Sequence, residues 1–294
     1  MRVVVATDAI AGLSPRAASE MIARAFADVG ATVAVVPLAG TGLALHDGIA
    51  EVAAGSDVVA PRTSTELGAA LRGPSQSLVL DLTATCVDDL GRGALGADPR
   101  ADAASLRAAW RGRELVALVP VDQVERDLTG LSGFASVELR ADGADLAEVL
   151  RAEAAAERWA AELGEVPRPG AGAARGVGLV LQAIGATVTD PLSFLVSRFG
   201  LADTVAAADL VVTGADELDF HALGGPVVTK VAAMAGEALR PVIAVVGRNF
   251  VSARELRLGG FESAHALVTG PGADAASPER LAKVAGQVAR TWRW

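Results

Sequence analysis

A chain of 294 residues, 51% hydrophobic and 21% charged, is long enough to bury a large core and predicts two domains, since single cores stop growing at about 250–300 residues. The hydrophobic excess is alanine and valine broken by charges, with no window near the roughly 18 uncharged apolar residues of a membrane span. The run Met1 to Asp8 is too short and too soon acidic for a signal peptide, so the expected setting is cytoplasmic, and the net charge of −9, the wrong sign for nucleic acid, leaves small-molecule rather than nucleic-acid or membrane partners expected.

The chain opens with the β-branched run Val3 to Ala6, a turn at Thr7-Asp8 and Gly12, and an apolar series at Ala18, Met21, Ile22, Ala25, Phe26 and Val29 with helical spacing. Val33 to Val36 is a second strand, stopped by Pro37. Strand, helix and strand in this length form a right-handed crossover that opens a parallel sheet. The middle of the chain predicts a helix from Ser64 to Leu71, a strand from Ser77 to Leu80 and a glycine-containing helical stretch from Asp88 to Leu95. A strand from Glu114 to Val119 and a long Ala/Glu/Arg helix from Leu146 to Leu163 follow, before the proline-rich hinge Glu165 to Pro169. The opening grammar then returns. Leu210 to Val212 is a strand ending at Thr213-Gly214, Val227 to Leu239 a helix, and Val242 to Val246 a strand closed by Gly247. The expected fold is α/β: a doubly wound, mainly parallel sheet domain built from both chain ends (residues 1–58 and 190–294), with a second α/β domain (residues 59–189) inserted.

Between hinge and helix lies Pro169-Gly170-Ala171-Gly172-Ala173-Ala174-Arg175-Gly176-Val177-Gly178. Glycine adds no packing surface and carries the largest backbone entropy loss on ordering, so glycines this dense belong where backbone approaches something closely. Two readings stand side by side. As the first turn of a helix made of small residues, the segment offers free N–H groups and a positive dipole end to a phosphate; alternatively, its glycines let the helix pack tightly on a neighbour. The spacing matches neither the P-loop nor the dinucleotide fingerprint.

Asp8 closes the first strand at the edge where open α/β sheets bind ligands; it reads as a metal or substrate acid, or as a cap of the following helix. Asp216, Glu217 and Asp219 follow the strand Leu210 to Val212 at the same edge, as a magnesium-holding loop or as a solvated turn. His221 beside them is a candidate general base. Lys230 and Lys283 are the only lysines, which leaves phosphate chemistry few ammonium groups. One cysteine, Cys86, excludes an internal disulfide framework, and the three histidines show no zinc spacing.

Taken together, Pro169 to Gly178, Asp209-Leu210-Val211-Val212-Thr213-Gly214 with Leu218-Asp219, and Pro241-Val242-Ile243-Ala244-Val245-Val246-Gly247 resemble the glycerate kinase family. There a Pro-Gly-Ala-Gly-Ala-Ala-Gly-Gly motif precedes Ala-Asp-Leu-Val-Ile-Thr-Gly-Glu-Gly-Arg-Leu-Asp, a helix and a Pro-Val-Ile strand in the same order. Val5-Ala6-Thr7-Asp8, Val36-Pro37-Leu38-Ala39 and Thr83-Ala84-Thr85 agree more loosely with the family's earlier motifs. Gly214 to Asp219 is also similar to the Gly-Ala-Asp-Glu-x-Asp motif of ribose-5-phosphate isomerases, without that family's lysine-glycine continuation.

The glycerate kinase resemblance implies ATP- and Mg2+-dependent phosphorylation of glycerate or a related small hydroxy acid, bound between two α/β domains. Asp8 and Asp219 are the implied catalytic acids, Gly170, Gly172, Gly176 and Gly214 the cofactor-binding backbone, and Asp216 the metal ligand. The departures point elsewhere. Ala11 stands at a family lysine, Gly40-Thr41-Gly42-Leu43 replaces an acidic glycine-rich loop, and Cys86-Val87-Asp88-Asp89 replaces Asn-Asp-Gly-Gly. Glu217 stands at an arginine, Gly224-Gly225-Pro226 at His-Gly-Lys, and Arg175 at a glycine. Substitution by Ala, Leu, Val and Pro at separate positions supports an alternative function, a non-catalytic homologue that binds a small acid, a nucleotide or a protein.

Overall fold

The computed structural model describes residues 1–39, 42–85, 87–270 and 275–292; Gly40, Thr41 and Cys86, named above, lie outside the described residues. Its strands in chain order are β1 (Arg2–Val5), β2 (Thr32–Val35), β3 (Asp57–Val59), β4 (Ser77–Asp81), β5 (Glu114–Leu118), β6 (Thr187–Thr189), β7 (Leu210–Thr213), β8 (Glu217–Leu218), β9 (Val242–Asn249) and β10 (Ser263–Val268). The chain divides into two compact units, Met1–Val52 with Leu195–Trp294, and Ala53–Phe194.

The first unit carries a parallel sheet in the order β10-β9-β7-β1-β2, with β8 continuing along β9. Val3, Val5, Leu210, Val212, Ile243 and Val245 turn to one face. There they meet Ile22 and Phe26 of the helix Pro15–Ala27 and Leu281 and Val288 of the helix Pro278–Thr291. The residues between them, Val4, Val211 and Ala244, are buried too, the two-sided burial that lets parallel strands read as unbroken apolar runs. Ser14 starts the helix Pro15–Ala27 by accepting the Ala17 N–H at 3.3 Å, with proline in the first turn. Because β1 pairs with β2 on one side and β7 on the other, the chain leaves β1 in opposite directions. The carboxyl ends of β1 and β7 therefore flank a topological switch point.

The second unit carries a parallel sheet in the order β3-β4-β5-β6, covered by the helices Ser64–Leu71, Pro99–Ala109, Leu146–Leu163 and Ala173–Ile184. Leu80, Ala117, Trp159 and Val180 belong to its core. The helix Leu146–Leu163 has the bounds its sequence predicts, since Asp145 and Glu148 form a capping box and Gly164 ends it in a left-handed conformation. The stretch from Asp88 to Leu95 is not the helix expected. Leu90 and Gly91 adopt φ of 58° and 76°, and the Asp89 carboxylate accepts the Gly91 and Gly93 N–H groups at 3.1 and 2.9 Å. Only a 3-10 turn, Arg92–Ala94, remains, because a short acid that bonds nearby backbone competes with the helix. Nor does Gly247 close its strand: β9 runs through it to Asn249. Among the described residues no helix is long and apolar enough to cross a membrane.

Candidate functional site

At the switch point the chain end of β1 is tied to that of β7 by backbone. The Asp8 N–H donates to the Gly214 carbonyl at 2.9 Å, and the Ala11 N–H donates to Asp216 Oδ1 at 2.6 Å. The segment after β7 does not loop freely. The Ala215 and Asp216 carbonyls accept the Gly247 and Arg248 N–H groups at 3.1 and 2.8 Å, so this stretch lies along β9 and continues into β8. Asp216 and Glu217 are exposed, successive residues of an extended stretch whose side chains alternate in direction. Asp219 Oδ1 accepts the N–H groups of His221 and Ala222, both at 2.7 Å, and so caps the turn that follows. The exposed His221 ring stacks edge-on to Phe220 at 5.5 Å. Among the described residues no three Asp, Glu, His or Cys side chains are grouped to hold a metal ion. The expected magnesium loop of Asp216, Glu217 and Asp219 is therefore not formed as a three-acid cage. Asp8 is half-buried, and Lys230 lies within the helix Gly225–Glu237, half-exposed.

The glycine segment is not the first turn of a right-handed helix either. Ala174, Arg175 and Gly176 adopt φ of 48°, 56° and 89°, a run of left-handed residues that only glycine takes without strain. Gly170, Gly172 and Gly176 are buried, and their N–H groups are engaged. Gly170 and Gly172 donate to the Arg126 carbonyl at 3.0 and 2.9 Å, and Gly176 donates to the Gly172 carbonyl at 3.1 Å. Ala174 donates to Gln123 Oε1 at 2.8 Å. Residues 123–127 thus occupy the position facing this backbone. Nothing in the local pattern signals that role, because Gln123 and Arg126 sit in an irregular stretch without periodicity.

Arg175 marks the outer side of the segment. Its guanidinium pairs with Asp88 Oδ1 at 3.1 Å and with Asp142. Nearby, Arg126 Nε lies 3.8 Å from Glu138 Oε1, and neither atom has a hydrogen-bond partner among the described residues. Burial raises the Glu138 carboxyl above its usual value near 4.5, against the opposing pull of Arg126 and Arg175. With the folded value above the unfolded one, the native state holds this proton more tightly. The resulting stabilisation is complete below about pH 4.5 and is lost as pH rises through the raised value. Glu138→Gln is expected to flatten the fall in melting temperature on going from pH 4.5 towards neutrality, read by thermal melts across that range. An unchanged slope would exclude Glu138 as its source.

These features define a two-unit, parallel α/β protein with a backbone-tied, acid-lined switch point in one unit and a buried glycine segment in the other. The glycerate kinase family profile matches residues 73–293. Uncharacterized proteins of Mycobacterium bovis and Mycobacterium tuberculosis are each 33% identical over 235 residues, 76% of this chain; the chain spans 60% of the length of these curated relatives. The crystal structure of a candidate glycerate kinase 2 from Salmonella typhimurium LT2 shares the fold, with a TM-score of 0.66 at 21% identity over 99% of this chain and 98% of that one. The chain belongs to the glycerate kinase family.

The family suggests ATP-dependent kinase activity, while several groups at the matched motifs are already engaged within the chain or replaced. The backbone donors of Gly170, Gly172 and Gly176 are spent within the chain. The cation added at Arg175 is held by two carboxylates. Asp216 and Asp219 already accept backbone N–H groups, and the lysine expected after β1 is Ala11.

Proposed function

We propose that this chain is a glycerate kinase family member that binds a small organic acid and does not transfer phosphate to it. The observation that carries the reading is Arg175, which stands at a glycine of the family motif and is paired with Asp88 and Asp142 over a segment whose donors are already engaged. Phosphoryl transfer depends on positioned cations, a magnesium-binding carboxylate and backbone donors that stabilise spread negative charge. Removing one such stabilising group commonly costs about 2.7–4 kcal/mol of barrier, a factor of roughly 100 to 1000. Here several of these groups are missing or engaged, which supports binding without turnover. In this reading Gly170, Gly172 and Gly176 serve packing.

A second reading is ATP- and Mg2+-dependent phosphorylation of glycerate in the cytoplasm, with Asp8 and Asp219 as catalytic acids, Asp216 on the metal and Gly214 beside the nucleotide. One observation favours it: Asp8 and Asp216 share the switch-point edge of the first unit. A coupled ADP-release assay with Mg-ATP and glycerate separates the two. The expected result is no glycerate-dependent ADP release and no thermal shift with Mg-ATP. Glycerate-dependent release abolished by Asp219→Ala would overturn the non-catalytic reading.

A further inference from the structure

Beside Arg175, wholly within the second unit, lies a cavity of about 210 Å³. Its apolar wall is formed by Val87, Leu90, Phe134, Leu139, Ala152 and Ala155. The volume has a simple origin. The helix Leu146–Leu163 turns two alanines, three residues apart and so on one face, towards a π-turn, Ala135–Leu139. π-turns are frequent at functional sites. The charged lining consists of Arg175 and Asp88.

Backbone strain collects here as well. Leu90, Ala174 and Arg175 are non-glycine residues with positive φ, and Leu90 and Arg175 both line the cavity. Conformations of this kind persist where the surroundings over-determine them, and they cluster at ligand clamps.

We propose that this cavity binds a small apolar monocarboxylate, with the Arg175 guanidinium as its counter-ion. The inference rests on the acid-binding reading above and names the kind of acid. An apolar cavity of about 150 Å³ holds benzene, so 210 Å³ takes a ring or short alkyl chain together with its head group. The head group follows from burial. The Arg175 side chain is 22% exposed, whereas Asp88 is 88% and Asp142 57% exposed. Solvent screens the two acids far more than the cation. A guanidinium takes a carboxylate through paired N–H donors, and the exposed Asp88 pair is the kind that water leaves weak, so an incoming carboxylate displaces it readily. The tail follows from the wall. Among the described residues, none that lines the cavity carries a hydroxyl or amide side chain. Away from Arg175 and Asp88 the hydroxyls of glycerate would meet an apolar wall, and polar groups left unpaired there are disfavoured.

Isothermal titration of the whole chain with benzoate, benzyl alcohol, benzylamine and glycerate tests the proposal, with Arg175→Gln and Asp88→Asn alongside. Benzoate is expected to bind at least about tenfold tighter than the alcohol, the size of one charge-assisted hydrogen bond, and tighter than the amine or glycerate. Arg175→Gln is expected to remove that advantage and leave the alcohol unchanged. Asp88→Asn, which takes away a competing carboxylate, is expected to tighten benzoate. If Arg175→Gln does not fold, the direction of the Asp88→Asn shift decides. The proposal is overturned if benzoate does not bind, if the alcohol or amine binds as well, if Asp88→Asn weakens benzoate, or if folded Arg175→Gln keeps wild-type affinity. Failure of benzoate binding leaves the ADP-release result untouched, so loss of this ligand class is distinguishable from loss of the non-catalytic reading.

Discussion

Gly172→Ala and Gly178→Ala are each expected to destabilise the second unit by about 3 kcal/mol or more, a fall in melting temperature of roughly 6–12 °C. Backbone strain is not the reason, because Gly172 has φ of −84° and Gly178 is not among the positive-φ residues. Space is. A Cβ on Gly172 would overlap the Asp127 carbonyl oxygen and lie 2.7 Å from its carbon. One on Gly178 would overlap the Gly170 carbonyl oxygen and lie 3.0 Å from the Ala171 carbonyl carbon. Peptide oxygens held in a packed segment cannot rotate away as a side chain can. Gly176 is a different case: its nearest neighbour is Leu90 Cδ2 at 2.7 Å, which can move, and there the left-handed φ sets the requirement. Calorimetric melts of Gly172→Ala and Gly178→Ala check the expectation. A shift below about 2 °C, less than roughly 1 kcal/mol, would leave tight packing without support.

This distinction decides how the glycine motif is read. Small residues serve a phosphate cradle and close packing equally well, so the one-letter pattern carries both meanings. What separates them is the fate of the N–H groups. With Gly170 and Gly172 donating to Arg126 and Ala174 donating to Gln123, residues 123–127 take the donors a phosphate would need. Arg175, on the outer face of the same segment, is left facing a cavity with an apolar wall. Under the proposal above, the ligand chemistry here rests on one guanidinium and an apolar tail rather than on backbone donors and a polyanion.

Much of this was legible in the sequence where local signals are strong. Val3 to Ala6 and Leu210 to Val212 are apolar runs bounded by turn residues, and β1 and β7 lie within a residue of them. Asp145 and Glu148 bound the long helix correctly because capping acts over a few residues. The failures have separate causes. The Asp88–Leu95 stretch has helical composition, but the Asp89 carboxylate holds Gly91, Gly93 and the Ser64 hydroxyl, and the last of these contacts crosses 25 positions of chain. The helix Pro99–Ala109 was missed although Asp98 caps it by accepting the Ala101 N–H, because its alanines blur the apolar period. Arg175 is marked by standing at a family glycine, but its partners Asp88 and Asp142 lie 87 and 33 positions away. No spacing rule reaches that far. The acids at the switch point were named from the sequence, and their engagement by backbone N–H groups was not, since a capping carboxylate and a metal-binding one look alike as letters.

Gly214→Ala is expected to have a comparable effect in the first unit, at least about 3 kcal/mol, with a local signature. A Cβ there would overlap the Val245 carbonyl oxygen and lie 2.9 Å from Ile10 Cδ1, so residue 214 must move off β9. Its carbonyl accepts the Asp8 N–H, and the next two carbonyls accept the Gly247 and Arg248 N–H groups. A displacement therefore loosens the end of β1, the continuation along β9 and the bond from the Ala11 N–H to Asp216 together. Amide hydrogen exchange at Asp8, Ala11, Gly247 and Arg248 is expected to accelerate by more than the rest of the sheet, since local opening exposes only the amides it releases. Wild-type protection at those amides in a folded Gly214→Ala variant would mean that the space around residue 214 is larger than the geometry states. The close approach of β7 to β9 would then not be what holds Asp8 and Asp216 on one edge.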